Sequence, residues 1–255
     1  MTKISSLSRK IVSFLLLMAP VQILCQSDAS GDPGKAAQAK SQEEFDQYLE
    51  IVTAPDPNTV IAKTKKFALQ FPISELLTPV FQSEMHAFES LDDFDGMLEA
   101  GRKALAGNPD STSTLLALAP AMATRAGGRP DRSQLLDQSE SFVRRVLEIV
   151  ETTRISRKIS VEQWNQRKRY MQSQAHGVLG IVALQRNQNS RAIKEFSEAI
   201  ELAPKPEGIQ FLRLGLALSA NGAKSEADKN FKRAVELGPD PVAAAAKRES
   251  VKLVP

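Results

Sequence analysis

Residues 172–206 read QSQAHGVLGIVALQRNQNSRAIKEFSEAIELAPKP, and residues 207–241 read EGIQFLRLGLALSANGAKSEADKNFKRAVELGPDP. Laid over each other, Leu179-Gly180 meets Leu214-Gly215, Ala192 meets Ala227, Phe196 meets Phe231, Ala199 meets Ala234 and Pro204 meets Pro239, each pair 35 residues apart. Six matched positions at one offset describe one unit written twice. Apolar residues recur in each copy at three- and four-residue steps, the period of a helix face, and a polar turn, Arg186 to Asn189 or Ala220 to Ala223, separates two such runs. The spacing predicts a helical hairpin with helix A at about Ser173 to Gln185 and helix B at about Ser190 to Ala203. Gly180 and Gly215 fall mid-helix, where glycine costs about 1 kcal/mol relative to alanine, so a close approach of another helix is expected there. Ala192, Phe196 and Ala199 share one face of helix B as small, large, small. Pro204 and Pro239, with no N–H to donate, end each helix B.

The order L-G, A-x3-F, a small residue and Pro resembles the tetratricopeptide repeat, whose period is about 34 residues. That resemblance implies an all-α, right-handed α-solenoid of helical hairpins and a protein-binding function. The repeats cover about 173–206 and 208–241. Two slots depart from the pattern: His176 and Phe211 stand where Trp is usual, and Ala183 and Leu218 where Tyr is usual. The additional residue of period falls in the loop Lys205-Pro206-Glu207, where it need not disturb packing.

Outward from these copies, Ser160 with Gln163 forms a capping-box pattern that opens a long helix running into the first repeat. Asp240-Pro241 starts a final helix, 240–253, expected to cap the open end of the stack. Upstream, 41–150 reads as degenerate hairpins punctuated by Pro57, Pro72, Pro109 and Pro130. Aligning Pro109 with Pro204 puts Met97 and Ala104 in the alanine slots and Gly101 in the Phe slot. Residues 151–159 form a basic loop, and no strand pattern appears. Four or five hairpins satisfy the minimum of about three that such stacks require.

The N-terminus carries Lys3, Arg9 and Lys10 before an uncharged apolar run, Ile11 to Leu24, interrupted by Pro20 and Gln22. This is a secretory signal peptide pattern, 1–25, shorter than the roughly 20 apolar residues of a membrane span. Its removal takes the formal charge from 33 basic against 30 acidic to 30 against 30, so no global argument for an acidic partner stands. Cys25, the one cysteine, ends that run. Two readings remain open: cleavage after Cys25 or Ala29 leaves a chain without cysteine, whereas lipidation of Cys25 tethers it to a membrane. Residues 26–40 are too polar to form a core and read as a disordered tether. Glu43-Glu44-Phe45, Ala54-Pro55-Asp56-Pro57, Phe71-Pro72 and Ile159 to Trp164 leading into Leu179-Gly180 resemble a group of secreted bacterial tetratricopeptide-repeat proteins. That implies an exported, periplasmic or secreted protein.

Reactive constellations are absent from the sequence. Two histidines, His86 and His176, with no H-E-x-x-H argue against zinc, no G-x-S-x-G offers a nucleophile and no Gly-rich loop offers a phosphate site. No enzyme activity, cofactor or metal is expected. Asp93, Asp95 and Gly96 match three positions of a calcium loop, but Leu91 and Arg102 occupy two ligand positions, and the segment falls where a hairpin turn is due. Arg154, Arg157, Lys158, Arg167, Lys168 and Arg169, beside Trp164 and Tyr170, form a basic run. It reads either as a solvated face or as a patch for an acidic partner or anionic lipid, and the leader argues against nucleic acid.

The resemblance also locates a groove on helix A, lined here by Gln174, Gly177, Ile181, Leu184 and Gln185 in one copy and Ile209, Leu212, Leu216, Ser219 and Ala220 in the other. Family members that clamp a peptide carboxylate carry Lys and Asn where this chain has Gly177, Ile181, Leu212 and Leu216. An apolar groove suits a helix or apolar peptide of an unidentified partner. The alternative is that a neighbouring or capping helix covers these residues. The expected role is an interaction scaffold of the bacterial envelope, with a lipid-anchored structural subunit of an outer-membrane or secretion assembly as the rival.

Overall fold

The computed structural model describes residues 37–153 and 159–253. The expectations for the leader, for Cys25, for most of the tether and for Arg154, Arg157 and Lys158 lie outside the described residues. Those residues form eleven α-helices and no strand: the chain is all-α, built of tetratricopeptide-like hairpins and closed by a C-terminal capping helix. Two compact units meet in sequence at Leu118 and Ala119.

The first unit holds α1 (Gln42–Val52), α2 (Pro57–Gln70), α3 (Leu77–Ser90), α4 (Phe94–Gly107) and the first half of α5 (Thr112–Arg125). Ser41 caps α1 by accepting from the Glu44 N–H at 3.1 Å, and Asp56 caps α2 by accepting from Thr59 N–H at 3.0 Å with Pro57 in the first turn, satisfying donors that a helix start leaves bare. Ile51, Phe67, Leu76 and Val80 form the core between α1, α2 and α3. The described end of the tether differs from the expectation. Ala39 packs on that core, Gln38 N–H donates to Glu75 at 3.2 Å, and Lys40 Nζ donates to the Ile73 carbonyl at 3.1 Å. One small residue is enough to seat a polar segment when its backbone and lysine find acceptors.

The second unit holds the rest of α5, then α6 (Arg132–Thr152), α7 (Val161–Gln185), α8 (Asn189–Leu202), α9 (Gly208–Ala220), α10 (Lys224–Leu237) and α11 (Asp240–Val251). Helix α6 continues through Thr152, past the expected start of the basic loop at residue 151. The capping box of α7 is complete: Gln163 N–H donates to Ser160 Oγ at 3.1 Å, and Ser160 N–H donates to Gln163 Oε1 at 3.0 Å. Helix α7 packs on α6, α8 and α9, helix α9 on α8 and α10, and α11 on α10 and α9. This is the nearest-neighbour order of a repeat stack.

The repeat signature becomes a knob and a hole. A Cβ on Gly180 would lie 2.5 Å from the Phe196 ring, and one on Gly215 would lie 2.6 Å from the Phe231 ring. Ala192, Ala199, Ala227 and Ala234 are buried on either side of those rings, and Leu179 and Leu214 are buried too. In the α3–α4 hairpin the bulk is distributed differently. Met85 holds the slot of Gly180 and is fully buried, while Gly101 holds that of Phe196 and receives Leu118 of α5 at 2.6 Å from where its Cβ would be.

Three hairpins share one turn. Asp92 (φ 58°), Asn187 (φ 59°) and Gly222 (φ 84°) each adopt the left-handed conformation one residue past the helix cap. The following N–H reaches back in each case: Asp93 to Phe88 O at 3.0 Å, Gln188 to Ala183 O at 2.8 Å, Ala223 to Leu218 O at 2.9 Å. This is a Schellman ending, and Asn, Asp and Gly are the residues that enter that region at least cost. The calcium-like fragment is therefore a helix stop followed by a helix start, with Asp93 accepting from Gly96 N–H at 2.9 Å.

Candidate functional site

Two adjacent helices of the second unit, α7 and α9, carry the groove positions, and Gln210 Nε2 donates to Ser173 Oγ across them at 3.2 Å. On α7 the face runs Tyr170, Gln174, Gly177, Ile181, Leu184 at helical spacing. Tyr170 and Gln174 are exposed, Gly177 and Leu184 half-buried and Ile181 buried. A Cβ at Gly177 would meet nothing within 4 Å, so this glycine is an open notch, unlike Gly180 three residues on. On α9 the face runs Ile209, Arg213, Leu216, Ala220, and only Ala220 is exposed. Ile181, Gln185, Leu212 and Leu216 are buried, and the Gln185 carbonyl accepts from Arg132 of α6. Neighbouring helices thus take part of the apolar lining, and Gly177, Leu184, Ile209, Ser219 and Gln174 are what an incoming chain would meet.

Arg213 was not singled out in the sequence. It occupies the place of Val178, a buried residue of the first copy, and its Nε is buried with no hydrogen-bond acceptor among the described residues. Burial lowers its guanidinium to about 10, with the Glu207 carboxylate opposing that shift, so it stays protonated at neutral pH. Burial, and then Glu207, raises the Tyr170 hydroxyl. A cation with a buried donor therefore stands next to Leu212, one of the positions that the resemblance marks as a groove, in a slot that the first copy fills with the buried Val178. The one legible signal was a charged residue in a slot where the sister copy is apolar.

A second polar centre ties α6, α7 and α8. Glu140 accepts from Arg144 at 2.7 Å, Arg191 at 2.6 Å and Arg186 at 2.5 Å; Arg186 also pairs with Asp137. Arg191 approaches Glu195 at 3.8 Å, and Glu195 faces His176 Nδ1 at 2.8 Å. Burial alone would raise the Glu140 carboxyl; the hydrogen bonds from Arg144, Arg191 and Arg186 outweigh it and hold the group down at about 2. A cleft of about 520 Å³ opens beside it, lined by Asp137, Glu140, Ser141, Arg144, Arg145, Glu148 and Arg186. Its charges are mixed in sign and mutually paired, which suits a structural junction better than a catalytic centre. His176, in the Trp slot, belongs to this network. His86 faces Glu89 at 3.1 Å on its own helix.

The described part of the basic run is split. Lys168 pairs with Glu151 at 2.7 Å. Arg169 Nη2 donates to the Glu201 carbonyl at 2.8 Å and Nε to the Leu202 carbonyl at 3.4 Å, placing its charge at the negative end of α8. Arg167 is half-buried. Among the described residues no three His, Cys, Asp or Glu side chains are grouped as metal ligands would be, and no described helix is long and apolar enough to cross a membrane.

No family description and no curated protein matches the chain. Among solved structures, TTC0263, a thermophilic TPR protein of Thermus thermophilus, aligns at 14% identity with TM-score 0.49, covering 84% of this chain and 98% of that one. MamA protein aligns at 22% identity with TM-score 0.27, covering 63% of this chain and 91% of that one. At these scores the fold assignment stands on the repeat packing itself.

Proposed function

We propose that this protein is a non-enzymatic interaction scaffold that holds a peptide or helix of a protein partner across α7 and α9. The observation that carries this is the open notch at Gly177, where a Cβ would meet nothing within 4 Å, near the half-buried cation of Arg213, whose positive charge favours an acidic group on a partner. Leu184 and Ile209 provide the apolar contacts. The partner is therefore an amphipathic segment with at least one carboxylate.

The test is selection from a displayed peptide library, followed by calorimetric titration of the best binders against wild type, Arg213→Ala and Gly177→Leu. Acidic, apolar binders weakened at least about tenfold by both substitutions are expected, a loss in line with truncation of an interface anchor. Binding unchanged in both variants would place the site elsewhere.

The basic start and apolar run of the N-terminal stretch, with the resemblance carried by Glu43-Glu44-Phe45, Ala54 to Pro57, Phe71-Pro72 and Ile159 to Trp164, support export to the bacterial envelope or beyond it. Cys25 at the end of that run supports a second reading, a lipid-anchored subunit of an envelope assembly. The mass of the N-terminus of the protein isolated from its own cells separates them: a free terminus after Cys25 or Ala29 gives a soluble exported scaffold, an acylated Cys25 a tethered one.

A further inference from the structure

A stack of hairpins is soluble when its end helices turn a polar face outward. In the second unit the last helix, α11, packs through Val242 and Ala246 and exposes Ala244, Lys247 and Val251, the last 72% exposed. In the first unit the first described helix, α1, packs on α2 and α3 through Tyr48 and Ile51, and its outer face too is partly apolar. Phe45, Leu49 and Val52 stand at i, i+4 and i+7 on its outer face, 41%, 40% and 44% exposed. Exposed carboxylates of Glu43 and Asp46 flank them, Glu50 beside them is paired with Lys63 of α2 at 2.5 Å, and residues 41–53 contain no lysine or arginine.

An apolar stripe with an acidic border calls for a helix with small and apolar residues and a positive charge. The outer face of α11 has that composition, with Ala244 and Val251 two turns apart and Lys247 between them. Over 240–253 the basic residues Lys247, Arg248 and Lys252 outnumber Asp240 and Glu249. We propose that the outer face of α1 docks on the outer face of α11 of a second copy, head to tail. Small Ala244 admits close approach of Leu49, and the acidic border meets Lys247. Because the two faces differ, the contact is heterologous, and each copy keeps one free face for the next. A single helix face lies at the small end of stable interfaces, which bury about 800 Å² per partner, so the association is weak, concentration-dependent and sensitive to salt.

Sedimentation velocity of the full chain, purified in the form in which it accumulates in the cell, tests this from micromolar to the highest soluble concentration. Growth of the wild-type species with concentration is expected, and Leu49→Glu or Val251→Glu alone should each weaken it at least about tenfold. Both side chains are exposed, so unchanged melting of the variants separates lost docking from lost folding. An equimolar mixture of the two variants keeps one intact α1 face and one intact α11 face and should form a species of two chains and no larger. A monomeric wild type overturns the proposal. So does self-association of Val251→Glu at wild-type strength, which would mean that α1 meets another α1, or a mixture that stays monomeric.

Discussion

Two glycines on one helix, three residues apart, do opposite things. Gly180 is filled from outside by the Phe196 ring, while Gly177 faces open space. Gly180→Leu drives a branched side chain into a ring with no room to move, an overpacking of about 1–3 kcal/mol or more. Gly177→Leu instead removes a helix-weakening residue and leaves stability unchanged or up to about 1 kcal/mol higher. Thermal melting of the two variants side by side checks this, and equal melting points would mean that the Phe196 contact is not tight. The distinction was half legible in the sequence. Leu179-Gly180 recurs at a fixed offset, which marks a packing glycine, whereas Gly177 has no counterpart in the second copy, where Leu212 stands. Arg213 was legible only through the alignment of the copies, which puts it opposite the apolar Val178; nothing in its local spacing marks a buried cation.

At the scale of elements, the junction of α6, α7 and α8 is electrostatic. Glu140 meets Arg186 and Arg191, 46 and 51 residues away, and no spacing rule connects such distant positions before the helices are placed. Its carboxyl is held below its ordinary 4.5, at about 2. A depressed folded value means that the unfolded chain binds the proton more readily, so the stabilisation is complete above about pH 4.5 and is lost as pH falls toward 2. Acid titration of the melting temperature should therefore show a drop across that window, reduced in Glu140→Gln, which would itself be less stable at neutral pH. Identical acid profiles for the two proteins would show that Glu140 is not the group responsible. Helix ends were the most legible elements: Asp56-Pro57, Ser160 with Gln163, and the prolines after α2, α4, α8 and α10 each act through a named backbone donor or its absence.

For the whole molecule, hairpin order and the capping helix followed from the two clear copies, because one repeated unit fixes how the next must stack. What did not follow was how the weak hairpins keep their packing without the signature. A different distribution of bulk answers that: glycine against phenylalanine between helices A and B in the second unit, and in the first Met85 on helix A with Leu118 of α5 packed at Gly101. It also constrains how such a chain changes over evolutionary time. Neither solution reaches the other by one substitution: a larger residue at Gly180 overpacks while Phe196 remains, and a smaller one at Phe196 leaves a cavity of the kind that costs about 3–5 kcal/mol. The two positions are coupled, and the valley between the two arrangements is deep enough that descendants of one ancestral hairpin would keep whichever partition of bulk they first acquired.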